Sequence, residues 1–319
     1  MTFWSPREVR TLFSAVAQAP SVHNTHPWFM ELHGHAVQLY ERWDIALPRH
    51  DPKGRDRLMS CGAALTNLEL AMRVMGWETD VQLLPDHRHP DLAATVTAVR
   101  RQPPATTEAD RYEAIPDRRS HREAFAGPLT PDEVRAVRAA VLGERVGVRQ
   151  LTPADAEVVA DMVEHTAGLL RHDHQYQREL SAWTIRHHGH SGVPREHLAH
   201  SLFGGLVRLG DGIPDHRALV DQVAHECVLV VETADDGRRD HLLAGMAVQR
   251  AWLAATHLGL AMSVITQPLQ LREVRAGLSE RLVLPGFPHA LLRIGRPAHS
   301  VAASPRREFG DIVREPVTT

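Results

Sequence analysis

Three short stretches of this 319-residue chain gather side chains able to hold a polar ligand. The first, APSVHNTHPW at 19–28, packs Ser21, His23, Asn24, Thr25 and His26 between Pro20 and Pro27-Trp28. A loop that only redirected the chain would not need hydroxyl, amide and imidazole groups at such density, so it reads as half of a grip. The second, RRSHREAF at 118–125, sets Arg118, Arg119, Ser120 and Arg122 within five residues. Guanidinium groups around a hydroxyl can converge charge-assisted hydrogen bonds on one phosphate. The third, SPRRE at 304–308, puts Arg306 and Arg307 after the last expected strand, free to reach back. Lys53 is the only lysine, so arginine clusters here are weighed by position and not by number.

Other chemistries find less support. Formal charge is −3, with no overall basic footprint for nucleic acid. Walker A, GxGxxG and Ser-His-Asp patterns are absent, as is the HExxH zinc motif. The many histidines, including His87/His89, His172/His174, His187-His188-Gly189-His190 and His197/His200, lie in polar or Gly-rich surroundings and read as solvated, with no native metal site expected. Cys61 and Cys227 sit in apolar runs and read as two buried thiols without a disulfide framework. The start MTFWSPREVR lacks a signal-peptide core and no run reaches ~18 apolar residues, so a cytoplasmic, soluble protein without a membrane span is expected.

The elements that must position these stretches form an imperfect repeat. SPREVRTLFSAV (5–16) and TPDEVRAVRAAV (130–141) share Pro6/Pro131, Glu8/Glu133 and Val9/Val134. Each predicts a helix with a Ser or Thr N-cap, Pro at the first turn and a capping-box Glu. CGAALTNLELAMRVMGW (61–77) likewise matches AGMAVQRAWLAATHLGL (244–260) at Gly62/Gly245, Leu70/Leu253 and Gly76/Gly259. Both predict buried helices ended by glycine, with Trp77 and Trp252 in the core. Pro6 to Pro131 spans 125 positions and Gly62 to Gly245 spans 183, so the second half carries about 58 extra residues. Short apolar strands at 36–42, 78–86, 146–152, 226–233, 261–266 and 290–297 complete an α+β pattern, with helices covering sheets. Residues 51–55 read as a turn and Arg55 as a surface charge.

The two halves are complementary. Nothing before Ser5 matches RRSHREAF, and the second half has no counterpart of APSVHNTHPW. In these motifs the chain resembles the FMN-dependent nitroreductase family, in particular single-chain, pseudo-dimeric members of the actinobacterial dormancy-associated type. The resemblance implies a nitroreductase-like α+β fold built from two degenerate repeats, 1–110 and 111–319, mimicking the family's dimer. It implies one composite FMN site, a monomer as the expected state, and small-molecule partners only, with no nucleic acid or membrane. Pro20, Ser21, His23, Asn24 and Thr25 would then lie along the flavin. Arg118, Arg119, Ser120 and Arg122, with Arg306 and Arg307, would hold its phosphate. VITQP (264–268) would bring Ile265, Thr266 and Gln267 to the redox-active edge.

Thr266-Gln267 stands where many relatives carry Gly or Glu-Gly, so a hydrogen bond to the flavin ring nitrogen falls to the main chain. His26 replaces the Gln of NxQPW. The extra segment, 155–222, includes a helical stretch around Tyr176, Leu180 and Trp183 and Gly-rich runs beyond it. A lid over the flavin, centred on 185–215, is expected. Two functions follow from the same grip: NAD(P)H-linked reduction of nitro compounds or quinones, or storage, sequestration or sensing of FMN beneath a closed lid.

Overall fold

The structure, a computed structural model, describes residues 3–143, 145–185, 190–194, 197, 207 and 215–314. Helix α1 (Pro6–Ala17) begins where its cap dictates: the Ser5 amide donates to the Glu8 carboxylate at 2.9 Å, and the Glu8 amide donates to Ser5 Oγ at 3.3 Å. Strands β1 (Trp28–His33) and β2 (Ala36–Glu41) follow, turned by Gly34 at φ 58°, where a side chain would be strained. Then come α2 (Arg55–Val74), β3 (Trp77–Leu83), β4 (Leu92–Arg101) and α3 (Thr106–Glu113). The four strands pair antiparallel in the order β1-β2-β4-β3.

The same cap recurs at α4 (Pro131–Val141), where Thr130 and Glu133 repeat the exchange at 2.7 and 3.3 Å. After β5 (Val146–Gln150) the chain forms α5 (Ala156–His172), α6 (His174–Ala182), the two-residue strands β6 (Thr184–Ile185) and β7 (Val193–Pro194), and α7 (His216–His225). It continues through β8 (Cys227–Thr233), α8 (Arg238–His257), β9 (Ala261–Ile265), α9 (Arg272–Arg281) and β10 (Phe287–Gly295). Strands β5-β8-β10-β9 make a second antiparallel sheet. A last turn, α10 (Phe309–Ile312), leads into β11 (Val313–Arg314), which joins the first sheet parallel to β1.

Helices α2 and α8 cross at the centre, backbone against backbone. A methyl group added at Gly245 would lie 2.0 Å from the Met59 carbonyl oxygen, and one at Gly62 would lie 2.2 Å from that of Leu242. Beside the crossing, Gln249 donates to Asn67 Oδ1 at 2.7 Å, and Asn67 donates to the Ala15 carbonyl at 2.8 Å. Away from it α2 buries Leu58, Leu65, Leu68 and Met72 with Met30, Leu39 and Val96 of the first sheet. Each such side chain contributes ~1.5–3 kcal/mol.

Strand β8 shows why its run CVLVV is continuous and not alternating. Leu229 and Val231 face α8, while Val228 and Val230 face α5, α7 and α9 through Val159, Val163, Leu219, Val223 and Leu278. The described ends of the 155–222 segment are therefore helical and roof the outer face of the second sheet. Its central part, including Phe203 and most of 185–215, lies outside the described residues.

Several expectations are corrected. Arg55 is not a surface charge: it opens α2, is only 4% exposed, and donates to the Leu269 carbonyl at 2.9 Å. Trp77 begins a strand and is half-buried under the Arg101 guanidinium, 3.6 Å from its ring. Cys227 is half-buried, whereas Cys61 is fully buried. No described helix is long and apolar enough to cross a membrane.

Candidate functional site

The loop after α1 holds an unfavourable backbone shape. His23, Asn24 and His26 all adopt left-handed φ values, 46°, 54° and 50°. Such conformations cost of order 1–3 kcal/mol each outside glycine and persist only when surroundings enforce them. Here the enforcement is explicit. The His26 amide donates to Ser21 Oγ at 3.0 Å, Thr25 Oγ1 donates to the Val22 carbonyl at 2.8 Å, and the Val22 amide donates to Ser60 Oγ on α2 at 3.0 Å.

The C-terminal stretch straps this loop from outside. Arg306 donates to Gln18 Oε1 (3.2 Å), Asn24 Oδ1 (3.0 Å) and His26 Nε2 (3.2 Å). Burial, with Arg306, Arg307 and Arg118 adding to it, pushes the His26 pKa well below its usual value, so its Nε2 is free to accept. Arg307 donates to the Thr25 carbonyl at 3.1 and 3.3 Å.

Across a cleft, the 118–122 turn docks on the end of β9. Ser120 bridges to Met262, and the His121 amide donates to the Met262 carbonyl at 3.0 Å. Trp252 of α8 donates to the Arg119 carbonyl at 3.2 Å, and its ring lies 4.4 Å beneath the Arg118 guanidinium. Arg118 is 4% exposed, and its Nε and Nη1 have no hydrogen-bond partner. Burial depresses its pKa strongly, and every charge acting on it is another guanidinium, of Arg306, Arg119 and Arg122.

Between these walls lies a cavity whose empty space, counted out to its open mouth, is about 1260 Å³. Of the residues expected in the site, Pro20, Ser21, His23, Asn24, Arg118, Arg119, Ser120, Arg122, Ile265, Thr266, Gln267 and Arg306 all line it. Thr25 and Arg307 do not; they brace the loop behind it. Elsewhere in the lining, the Thr266 hydroxyl is engaged by the Asp56 carboxylate and Gln267 by the Tyr176 hydroxyl. Ala63, Gly245 and Val248 form part of the lining where α2 and α8 cross.

Sequence reasoning missed the layer beneath, His50, Asp56 and Ser60, which also line the cavity. His50 Nε2 lies 3.3 Å from Asp56 Oδ2, and Ser60 Oγ donates to the Asp56 carbonyl at 2.6 Å. The available signal was the density of ionisable groups in RHDPKGRD just ahead of an apolar helix. Trp252, assigned to the core, is buried and also lines the cavity.

Among the described residues two clusters could approach a metal ion: Asp236, His241 and His289, and Glu157, Asp161 and His216. In the first, Arg275 holds both Asp236 oxygens at 2.6 and 2.8 Å. In the second, the His216 ring nitrogens face Glu157 and Glu164 at 2.9 Å each. Neither cluster lines the cavity.

The family model described as Nitroreductase family matches residues 115–296. "Putative NAD(P)H nitroreductase Rv3131" of Mycobacterium tuberculosis is 31% identical over 97% of this chain and 91% of its own length. "Putative NAD(P)H nitroreductase acg" of the same organism is 27% identical over 95% and 94%. Among solved structures, a Bacteroides fragilis nitroreductase with bound FMN superposes with a TM-score of 0.40 at 19% identity, covering 63% of this chain and 96% of that one. The chain belongs to the nitroreductase family.

Proposed function

We propose that this protein binds one FMN in the cavity and serves in the NAD(P)H-linked reduction of nitro compounds or quinones. One observation carries the reading: four guanidinium groups line the cavity, and the most buried of them, Arg118, has unpartnered donors and feels only the charges of the other three. A phosphate monoester carries about two negative charges and acceptor oxygens for the Arg118 donors that have none. Ser120 adds a hydroxyl there. The strapped loop of Pro20, Ser21, His23 and Asn24 would lie along one side of the flavin, with Thr25 and Arg307 as its braces. Ile265, Thr266 and Gln267 would meet its edge; because Asp56 and Tyr176 already engage the two polar side chains, the main chain is left to face the ring. When bound, FMN supplies hydride transfer, and the protein's part is to bind, orient and exclude water. The matched mycobacterial proteins, named as NAD(P)H nitroreductases, support the choice of donor.

We further read the chain as a fused pair of degenerate repeats, 1–110 and 111–319, with 155–222 inserted in the second. The paired capping boxes, the reciprocal glycine contact of α2 and α8, and four antiparallel strands in each half support this. A fused pair needs no second chain to complete its site, so a monomer is the proposed state.

A second reading, FMN storage or sensing beneath a lid, is favoured by a separate observation. Asn24 donates to the Gly192 carbonyl at 3.0 Å, the Gly192 amide donates back to the Asn24 carbonyl at 3.0 Å, and Val193 and His197 line the cavity. Part of the inserted segment is thus pinned to the loop proposed to face flavin. Titration with FMN and with riboflavin, followed by flavin fluorescence, tests the main reading. FMN is expected to bind at least ~10-fold more tightly, as the loss of one charge-assisted contact implies. Equal affinities would remove the phosphate from the arginines. Mixing the loaded protein with NADH or NADPH then separates the two readings by whether the flavin bleaches.

A further inference from the structure

The arginine turn is held in place from behind the cavity. From Arg118 to Phe125 the backbone forms no helix and meets a strand only at Ser120, which bridges to Met262. The guanidinium groups of Arg118, Arg119 and Arg122 repel one another, so the main chain that carries them needs outside support. Trp252 supplies part of it at the Arg119 carbonyl. The carbonyls of Arg122 and Glu123 accept from Nη1 and Nη2 of Arg293, at 3.1 Å each. Arg293 stands on β10, is fully buried, and is not part of the cavity lining.

Arg293 is itself anchored. Glu226, the residue that ends α7, accepts from Arg293 Nε and Nη2 at 2.6 Å each, and its side chain is 7% exposed. Gln222, one turn earlier on α7, donates to Glu226 Oε1 at 2.9 Å. An unpaired buried cation beside Arg122 would add to the repulsion within the turn; the bidentate carboxylate cancels it. Arg293 therefore gives the turn geometry and not net charge. Its planar fork presents Nε and one edge of Nη2 to the carboxylate, and Nη1 with the other edge of Nη2 to the turn. Phe125 closes the contact from the far side. Its ring lies 5.1 Å from the Arg293 guanidinium, and a methyl group added at Gly295 would come within 2.2 Å of it.

We infer that Arg293 is a positioning residue for the phosphate of FMN, and that with Glu226 it sets the preference of the cavity for a phosphorylated flavin over an unphosphorylated one. This rests on the FMN reading above. The arginines of the turn and Ser120 touch the phosphate; Arg293 fixes the main chain from which they project, before any ligand arrives. Because Glu226 ends α7, the same pair ties the helix in which the inserted segment finishes to the phosphate turn.

The test is the ratio of FMN to riboflavin affinity, from fluorescence titration of the full chain with each flavin. Riboflavin fills the same cavity without a phosphate. A general packing defect weakens both flavins alike, whereas a misplaced turn weakens FMN alone. Arg293→Met combined with Glu226→Met removes the pair together, a replacement that buried ion pairs often tolerate without loss of stability. Arg293→Lys keeps a charge against Glu226 but has no fork to span the two carbonyls. Each variant should lower the FMN-to-riboflavin ratio by roughly 10-fold or more, as the loss of one charge-assisted hydrogen bond to phosphate implies. Riboflavin affinity should change little. Hydrogen exchange of the unmodified, flavin-free protein gives a reading that needs no variant: the peptide covering 115–126 should already be protected. An unchanged ratio in either variant, or an equal loss of both flavins, overturns the proposal while the FMN reading stands. A turn that exchanges freely until FMN is added also overturns it. If the unmodified protein binds no flavin, or binds FMN and riboflavin equally, the FMN reading fails and this one with it.

Discussion

Replacing Arg118 with Met should change the protein in two opposite directions. Without ligand, Arg118 is a buried cation over the Trp252 ring, with unpartnered Nε and Nη1 atoms and only guanidinium groups acting on it. Methionine fills much of the same volume without the charge, so the ligand-free fold should gain stability, as it does when an uncompensated buried charge is removed. With FMN, the variant loses at least one charge-assisted hydrogen bond to phosphate, worth ~1.5–3 kcal/mol. That corresponds to a roughly 10- to 150-fold weaker Kd. Differential scanning calorimetry of the ligand-free protein and fluorescence titration with FMN measure the two arms separately. Arg306→Met supplies the contrast: that residue also straps the loop through Gln18, Asn24 and His26, so its loss should lower both stability and affinity. Unchanged FMN affinity in Arg118→Met would refute the phosphate assignment. A lower melting temperature without ligand would refute the claim that the cation is uncompensated.

Other consequences can be checked independently. Gly245→Ala places a methyl group 2.0 Å from the Met59 carbonyl oxygen on another helix backbone; overpacking of this kind costs ~1–3 kcal/mol or more, and urea unfolding should show it. Asn24→Ala breaks the contacts to Gly192 and Pro305 at 3.0 Å each, and should speed FMN release in a stopped-flow chase. Shortening 187–212 to a Gly-Ser linker should speed both FMN release and flavin reduction by NAD(P)H if the segment acts as a lid; an unchanged reduction rate counts against that role. Asp51, buried and beside the Asp56 charge, has its pKa pushed up to about 6. Between the ordinary carboxylate value of about 4 and that value the folded state binds more protons than the unfolded one, so this group's contribution to stability falls as pH rises. Relative to Asp51→Asn, the native protein should lose ~1–3 kcal/mol across that window, read by chemical denaturation at several pH values.

Much of this arrangement was legible because local rules and global packing agree. The twin capping boxes marked α1 and α4, and the small residues Gly62 and Gly245 marked the helices that meet backbone to backbone. The arginine turn and the Pro-Ser…Asn loop were visible as dense polar segments with no local partner of their own. What stayed hidden depended on tertiary contacts. Arg55, His50 and Asp56 look like a solvated turn because their neighbours are polar; only the approach of Leu269, Thr266 and Tyr176 buries them. Helix α5 gives a weak signal in sequence because its apolar face is completed by α7 and the outer face of β8, which lie far away in the chain. Strand β4 is also weakly marked: LAATVTAV alternates, but its small residues give less signal than neighbouring runs.

The proposed FMN site is single and composite, with the phosphate on the arginines of the second half and the flavin against the loop of the first. Native mass spectrometry of the protein supplied with excess FMN tests it most directly, because it reports ligand identity and stoichiometry together. The expected result is a monomer carrying one FMN, and an Arg118→Met variant carrying markedly less at the same concentration. A chain that holds two FMN molecules, takes FAD in preference, or remains empty would contradict it.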